Sequence, residues 1–85
     1  MKEEQVKIKE KVKSYIYQTA YVESEKIHDD TMVFKEGYFD SMAFMVLITF
    51  IEEEFGIKTI DEDLTEENFE SINAITDFIS RKTQN

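Results

Sequence analysis

The sequence GYFDSM at residues 37–42 decides the fold, because it joins a long irregular loop to an apolar helix. The glycine favours a turn, and Asp40 and Ser41 are residue types that commonly begin helices. From Ser41 to about Phe55 the apolar residues recur every three or four positions, which predicts a helix. Gly56 suits its C-terminal cap. Ser41 is therefore expected in the first turn of this helix, directly after the loop.

Three further segments show helical periodicity. An amphipathic helix is predicted over about residues 3–20, a short helix over about 65–69, and a last helix over about 72–82 with Ser71 as its cap. Apolar and polar residues alternate nowhere for long enough to predict a strand. We therefore predict an all-α fold for a single domain over residues 1–85, a small bundle of three main helices plus one short helix. The residues expected to face inward on the first helix are Ile8, Val12, Tyr15, Ile16 and Thr19.

Two loops connect the predicted helices. The first covers about residues 23–39, a length that is uncommon and often functional, and it has room for a short turn of helix. Its scattered apolar residues are expected to pin it across the helices: Ile27, Met32, Phe34, Tyr38 and Phe39. The second loop, residues 57–64, is acidic, and Ile57, Ile60 and Leu64 are expected to anchor it.

Composition excludes several classes of protein. A formal net charge of -9 at pH 7 argues against a nucleic-acid partner, because phosphates would be repelled. The chain has no cysteine, which excludes disulfides, thiolate metal sites and a cysteine nucleophile. The apolar run at residues 42–51 is too short to span a bilayer, and the charged start resembles no signal peptide. We expect a cytoplasmic, monomeric, stand-alone protein without membrane insertion, although an excised module would look the same.

The segment around Ser41 resembles the attachment site of acyl and peptidyl carrier proteins. In that family an Asp-Ser-Leu triplet holds the serine that receives a 4′-phosphopantetheine arm. Asp40 and Ser41 match the triplet, and Met42 replaces its leucine. The likeness is clear over about residues 34–79. It includes three stretches of the C-terminal half: EEEFGI at residues 52–57, DEDL at 61–64 and FESI at 69–72.

The resemblance implies a function for these residues. Ser41 would receive the arm from coenzyme A through a phosphopantetheinyl transferase, with Asp40 as the motif residue and helix cap. The thiol of the arm would carry an acyl or aminoacyl thioester to acyl-transferring or synthase enzymes of fatty acid, polyketide or related biosynthesis. A peptidyl or D-alanyl-type carrier is an alternative, and so is an unmodified acidic helical adaptor with a carrier-like fold. Read alone, Asp40-Ser41 is compatible with a simple helix cap.

The second helix departs from the usual family pattern. Many fatty-acid carriers have acidic residues along its exposed face, whereas this chain has no charge there before Glu52. One interpretation is an apolar partner-docking surface of Met42, Met45, Val46 and, at its edge, Phe50, with Glu53 at its far end. The other is that some of these residues are buried by the long loop and the following helices.

No catalytic or metal site is predicted. Nucleophilic catalysis by Ser41 needs a base, and the only histidine, His28, lies in the loop with nothing to tie it to the serine. His28 with Asp29 and Asp30 is not a recognised metal-ligand set. The carboxylates of residues 52–54 suit a charged helix end better than an acid–base pair. A small hydrolase is therefore the weakest hypothesis.

Overall fold

The computed structural model describes residues 2–20 and 23–83. Over these ranges the chain is helical and contains no strand. The predicted all-α class, with three main helices and one short helix, is confirmed. The helices are α1 (Lys2–Thr19), α2 (Ser41–Phe55), α3 (Glu66–Phe69) and α4 (Ile72–Thr83), with 3₁₀ turns at Ser24–Lys26 and Asp61–Asp63.

The core lies where α1, α2 and α4 face one another. Helices α1 and α4 make the most extensive contact with each other, and α2 packs against α4 over a smaller area. Each helix buries residues three or four positions apart, the spacing that places side chains on one face. The buried apolar residues on these helices are Ile8, Val12, Ile16, Leu47, Ile48, Ile51, Ile72, Ile75, Phe78 and Ile79.

The prediction for the end of α1 was wrong at Thr19. This residue is exposed instead of facing the core. Its hydroxyl donates a hydrogen bond of 2.8 Å to the carbonyl of Tyr15, one turn earlier. Tyr15 itself is partly buried and packs against the core. The apolar stripe of α1 therefore ends one turn before the helix does.

Local hydrogen bonds define the helix ends. Asp40 accepts from the backbone N–H of Ala43 at the start of α2, and Ser71 accepts from that of Ala74 at the start of α4. Gly56 ends α2 in the left-handed conformation, with φ of 65°. All three caps were predicted, since each depends on a residue type placed at a helix boundary.

Long-range contacts fix the loop between α1 and α2. The backbone N–H of Val33 donates to the carbonyl of Glu70 at 2.9 Å. The carbonyl of Asp29 accepts from the N–H of Asn73 in the first turn of α4 at 2.9 Å. The same loop buries Ile27 and Phe39, which were predicted to anchor it, and also Val33, which was not. The other predicted anchors, Met32, Phe34 and Tyr38, are partly buried. Residues 21 and 22, which precede the predicted loop, lie outside the described ranges.

The acidic loop after α2 is held differently from the prediction. Ile60 is 55% exposed and Leu64 is also exposed, so neither anchors the loop in the core. Of the three predicted anchors, only Ile57 packs against the core. Polar contacts replace the missing anchors: Glu52 accepts from the N–H and hydroxyl of Thr59 at 3.0 and 2.8 Å, and Lys82 pairs with Asp63 at 2.8 Å.

None of the helices in the described ranges has the length and apolar character needed to cross a membrane.

Candidate functional site at the start of α2

Ser41 is the first residue of α2, and it is exposed. Asp40 precedes it in an extended conformation and caps the helix, with Oδ1 2.8 Å from the amide nitrogen of Ala43. The first N–H groups of a helix lack intrahelical partners and give this end a partial positive charge. An anionic group on Ser41 would lie in that favourable field. The geometry expected for these two residues is therefore present.

The chain that leads into Ser41 is held in place. Phe39 is buried two positions earlier, and its N–H donates to the carbonyl of Val33 at 3.2 Å. The N–H of Tyr38 donates to the same carbonyl at 2.9 Å. Gly37 begins this turn with φ of 80°, a conformation that costs L side chains steric strain. Since Phe39 is buried and the segment before the serine is hydrogen-bonded, the position of Ser41 is defined by both the loop and the helix.

A surface pocket of about 380 Å³ opens beside Ser41. Aromatic rings and Leu64 provide its apolar walls, and two carboxylates lie among its lining residues. No histidine lines it. The full lining is Phe34, Phe39, Asp40, Ser41, Phe44, Leu64 and Glu66. A group attached to Ser41 would thus have apolar surface within immediate reach.

Phe39 and Phe44, which flank Ser41 in the sequence, were not assigned to the predicted site, and three further residues of this pocket are absent from it as well. Phe34 was expected only to pin the loop, and Leu64 to anchor the acidic loop. Glu66 begins α3 and carries no motif of its own. These residues come from three separate segments, so nothing in their local sequence indicates that they converge on Ser41.

An apolar patch consisting of Met42, Met45 and Val46 lies on the exposed face of α2. Their side chains are 75%, 62% and 53% exposed. Glu53 is exposed seven residues after Val46, about two helical turns further along α2. The interpretation that this face is buried by the loop is therefore wrong for these three residues.

Phe50 is not part of the apolar patch. It is partly buried and stacks on Tyr15, with ring centroids 4.2 Å apart and an angle of 12° between the ring planes. The suggestion that it belongs to the docking surface is wrong, because Phe50 faces α1. The sequence could not show this, since the partner ring lies on another helix.

The other polar residues considered from the sequence form no reactive cluster. His28 is exposed, and its backbone N–H donates to the hydroxyl of Thr31 at 2.7 Å. Among the residues that the structure describes, no group of three or more acidic or histidine side chains could hold a metal ion. At the end of α2, hydrogen bonds from the N–H and then the hydroxyl of Thr59 lower the pKa of Glu52. Glu54 pairs with Lys11 at 2.8 Å. These carboxylates therefore contribute hydrogen bonds and an ion pair to the fold.

The chain is similar to known proteins over most of its length. A family model described as "Phosphopantetheine attachment site" matches residues 10–79. The acyl carrier protein of Buchnera aphidicola subsp. Acyrthosiphon pisum is 32% identical over 75 residues, which cover 88% of this chain and 91% of the relative. The acyl carrier protein of Thermosynechococcus vestitus is 32% identical over 78 residues, which cover 92% of this chain and 94% of the relative.

Proposed function

The chain belongs to the family of carrier proteins with a phosphopantetheine attachment site, and from this premise we propose that it carries acyl groups as thioesters on an arm attached to Ser41. The cofactor of such a protein is 4′-phosphopantetheine, and the protein is a carrier rather than an enzyme. When bound, the arm supplies a terminal thiol on which the acyl group is held.

One observation supports Ser41 as the attachment residue above all others. It is an exposed serine at the first position of a 15-residue helix, next to an aspartate that caps that helix. Asp40 satisfies the N–H of Ala43, so the serine is not required as the cap. In the transferase reaction the oxygen of Ser41 would bond to the phosphorus of the arm and its proton would pass to a base of the transferase, while the pyrophosphate bond of coenzyme A would break and the nucleotide would leave.

The residues around Ser41 fit the cofactor. The N-terminus of α2 favours the negative charge of a phosphodiester. Phe34, Phe39 and Phe44 offer apolar surface in the pocket beside it. The buried position of Phe39 holds the serine at the pocket mouth. This chain therefore binds and orients the arm without changing it chemically.

We propose that partner enzymes dock on the apolar patch of Met42, Met45 and Val46, with Glu53 at its edge. The patch begins at the residue after Ser41, so a transferase that reaches the hydroxyl must cover it. More than half of each apolar side chain is exposed, which provides surface that association can remove from water. The occupants are a phosphopantetheinyl transferase and, afterwards, acyl-transferring or synthase enzymes of fatty acid, polyketide or related biosynthesis.

Attachment at Ser41 can be tested by incubating the protein with coenzyme A and a broad-specificity phosphopantetheinyl transferase. Intact mass spectrometry should show the addition of one phosphopantetheinyl group, and Ser41→Ala should abolish it. Ser24→Ala is the matched control, because Ser24 is also an exposed serine at the start of a helical turn. An addition that persists in Ser41→Ala would overturn the assignment.

The acyl cargo is supported by the names of the relatives, which are acyl carrier proteins. A peptidyl or D-alanyl-type carrier would hold an aminoacyl group instead. The two are separated by releasing the load of the native protein with hydroxylamine and identifying the product by mass spectrometry. An acyl hydroxamate is expected, whereas an aminoacyl hydroxamate would contradict the proposal.

A further inference from the structure

We infer that Phe44 closes the inner end of the pocket beside Ser41, so that the protein shelters only short acyl groups and leaves the remainder of a long chain in solvent. The inference rests on the proposed attachment at Ser41. It concerns what the pocket can hold, and therefore names the class of acyl group that this carrier is built to protect.

A continuous series of aromatic rings lies between the pocket and the core. The ring of Phe44, which lines the pocket, meets that of Phe34 with centroids 5.6 Å apart and that of Phe69 with centroids 5.4 Å apart. Phe69 in turn contacts Phe78 at 4.9 Å. Such edge-to-face and tilted pairs are at contact distance, so no gap remains between the rings for an alkyl chain.

The inner rings belong to the core. Phe69 and Phe78 are buried, and they lie in the same buried cluster as the isoleucines of α4. Protein interiors are packed at the density of organic crystals, and inserting extra methylene groups forces side chains off their preferred rotamers. An alkyl chain that entered would therefore have to displace a buried planar ring.

On the opposite side of α2, aromatic rings occupy the contact with α1. Phe50 stacks on Tyr15 of α1 and also meets Phe55 edge-on, with centroids 6.2 Å apart. The ion pair of Lys11 with Glu54 spans α1 and α2 beside these rings. A chain tethered at Ser41 therefore has the outer pocket as its apolar shelter, and a chain longer than the pocket must pass the exposed edge of Leu64 into water.

The test is a series of thioester-loaded proteins that differ in chain length. Wild-type protein is loaded with acetyl-, hexanoyl- and palmitoyl-phosphopantetheine, and the loading is verified by intact mass before melting temperatures are measured. Hexanoyl should raise Tm above acetyl by about 5 °C, since buried apolar surface stabilises a domain of this size on that scale. Palmitoyl should raise Tm no further than hexanoyl does, so that Tm reaches a plateau at hexanoyl. A palmitoyl form that melts clearly above the hexanoyl form would overturn the inference.

Variants locate the barrier. Phe44→Ala should allow palmitoyl to raise Tm beyond hexanoyl, and Phe44→Leu is the milder substitution if the alanine variant does not fold. Phe50→Ala is the matched control, because it removes a phenylalanine of α2 on the side away from the pocket. Phe50→Ala should behave as the wild type does. If Phe44→Ala, or Phe44→Leu where the alanine variant does not fold, also shows no gain from hexanoyl to palmitoyl, Phe44 is not the barrier.

Failure of this inference is distinct from failure of the proposed function. A protein that takes up no arm at Ser41 fails at the mass measurement, which overturns the proposed function and this inference together. A protein that is loaded but shows no plateau overturns this inference alone.

Hydrogen exchange gives an independent readout: in the wild type, palmitoyl should leave amide exchange across residues 69–79 unchanged relative to hexanoyl.

Discussion

The carboxylate of Asp40 lies 2.8 Å from the amide nitrogen of Ala43, and this hydrogen bond fixes the first turn of α2 around Ser41. The carbonyl of Asp40 also accepts from the N–H of Phe44 at 2.9 Å, which is the first backbone hydrogen bond of the helix. A single residue thus caps the helix with its side chain and starts it with its backbone. The position of Ser41 and the stability of α2 therefore depend on the same contact.

Replacement of Asp40 should affect both stability and modification. Asp40→Ala should lower the free energy of unfolding by about 1 kcal/mol, because an N-cap side chain is lost. It should also slow arm attachment, since the first turn around Ser41 frays. Asp40→Asn keeps an oxygen that can cap the helix and should retain most of the stability. Urea denaturation measures the first effect, and the transferase reaction measures the second. Equal stability of the alanine variant and the wild type would contradict this account of the cap.

The apolar patch should govern recognition by the transferase. Val46→Ser should raise the KM of the reaction on Ser41 while leaving kcat nearly unchanged, because apolar docking surface is lost without change at the hydroxyl. Val6→Ser is a close control: Val6 is 55% exposed on α1, against 53% for Val46 on α2. Steady-state kinetics with both variants gives the comparison. An equal change in KM for the two variants would show that the patch has no special role.

Salt provides a second test of apolar docking. Charge–charge attraction between exposed groups is screened as ionic strength rises, whereas apolar contact is not weakened in this way. Since Met42, Met45 and Val46 carry no charge, transferase turnover should change little between low and moderate salt. A steep fall in kcat/KM with added salt would favour recognition through the acidic residues instead.

Acid should weaken the protein through two ion-paired aspartates. The hydrogen bond from Lys82 lowers the pKa of Asp63, and the hydrogen bond from Lys9 lowers that of Asp29. Because the folded-state pKa lies below the unfolded one, the unfolded chain binds more protons in acid. The stabilisation is therefore present above the ordinary aspartate pKa of about 3.9 and is lost as pH falls through the lowered values.

Unfolding free energy measured by denaturation between about pH 5 and pH 2 should decline with falling pH in this interval. Lys82→Gln should flatten part of the decline, because it removes the donor that lowers the pKa of Asp63. Asp63→Asn should flatten the same part, and combining the two substitutions should add little. A double variant whose pH dependence changed by the sum of both single effects would show that the two residues act independently.

The features that the sequence predicts well are local. The helices, the caps at Asp40, Gly56 and Ser71, and the exposed position of Ser41 follow from residue types at a boundary and from spacing within one segment. The resemblance around residues 40–42 likewise depends on consecutive residues. Each of these predictions needs no knowledge of what packs against the segment.

The features that the sequence does not predict depend on partners elsewhere in the chain. Phe50 was considered for the docking surface, and the sequence could not correct this because its stacking partner, Tyr15, lies on another helix. Val33 is buried through its bond to the carbonyl of Glu70, 37 residues later. Leu64 lines the pocket beside Ser41 instead of anchoring its own loop. Periodicity within a segment cannot reveal such contacts between segments.

The central claim is that Ser41 carries the prosthetic arm, and peptide mapping of the protein isolated from its native cell tests it most directly. The fragment containing Ser41 should be heavier by one phosphopantetheinyl group, with or without an acyl load, and fragmentation should place that mass on the serine. An unmodified fragment in native protein that nevertheless functions, or the same mass on a different residue, would contradict the account.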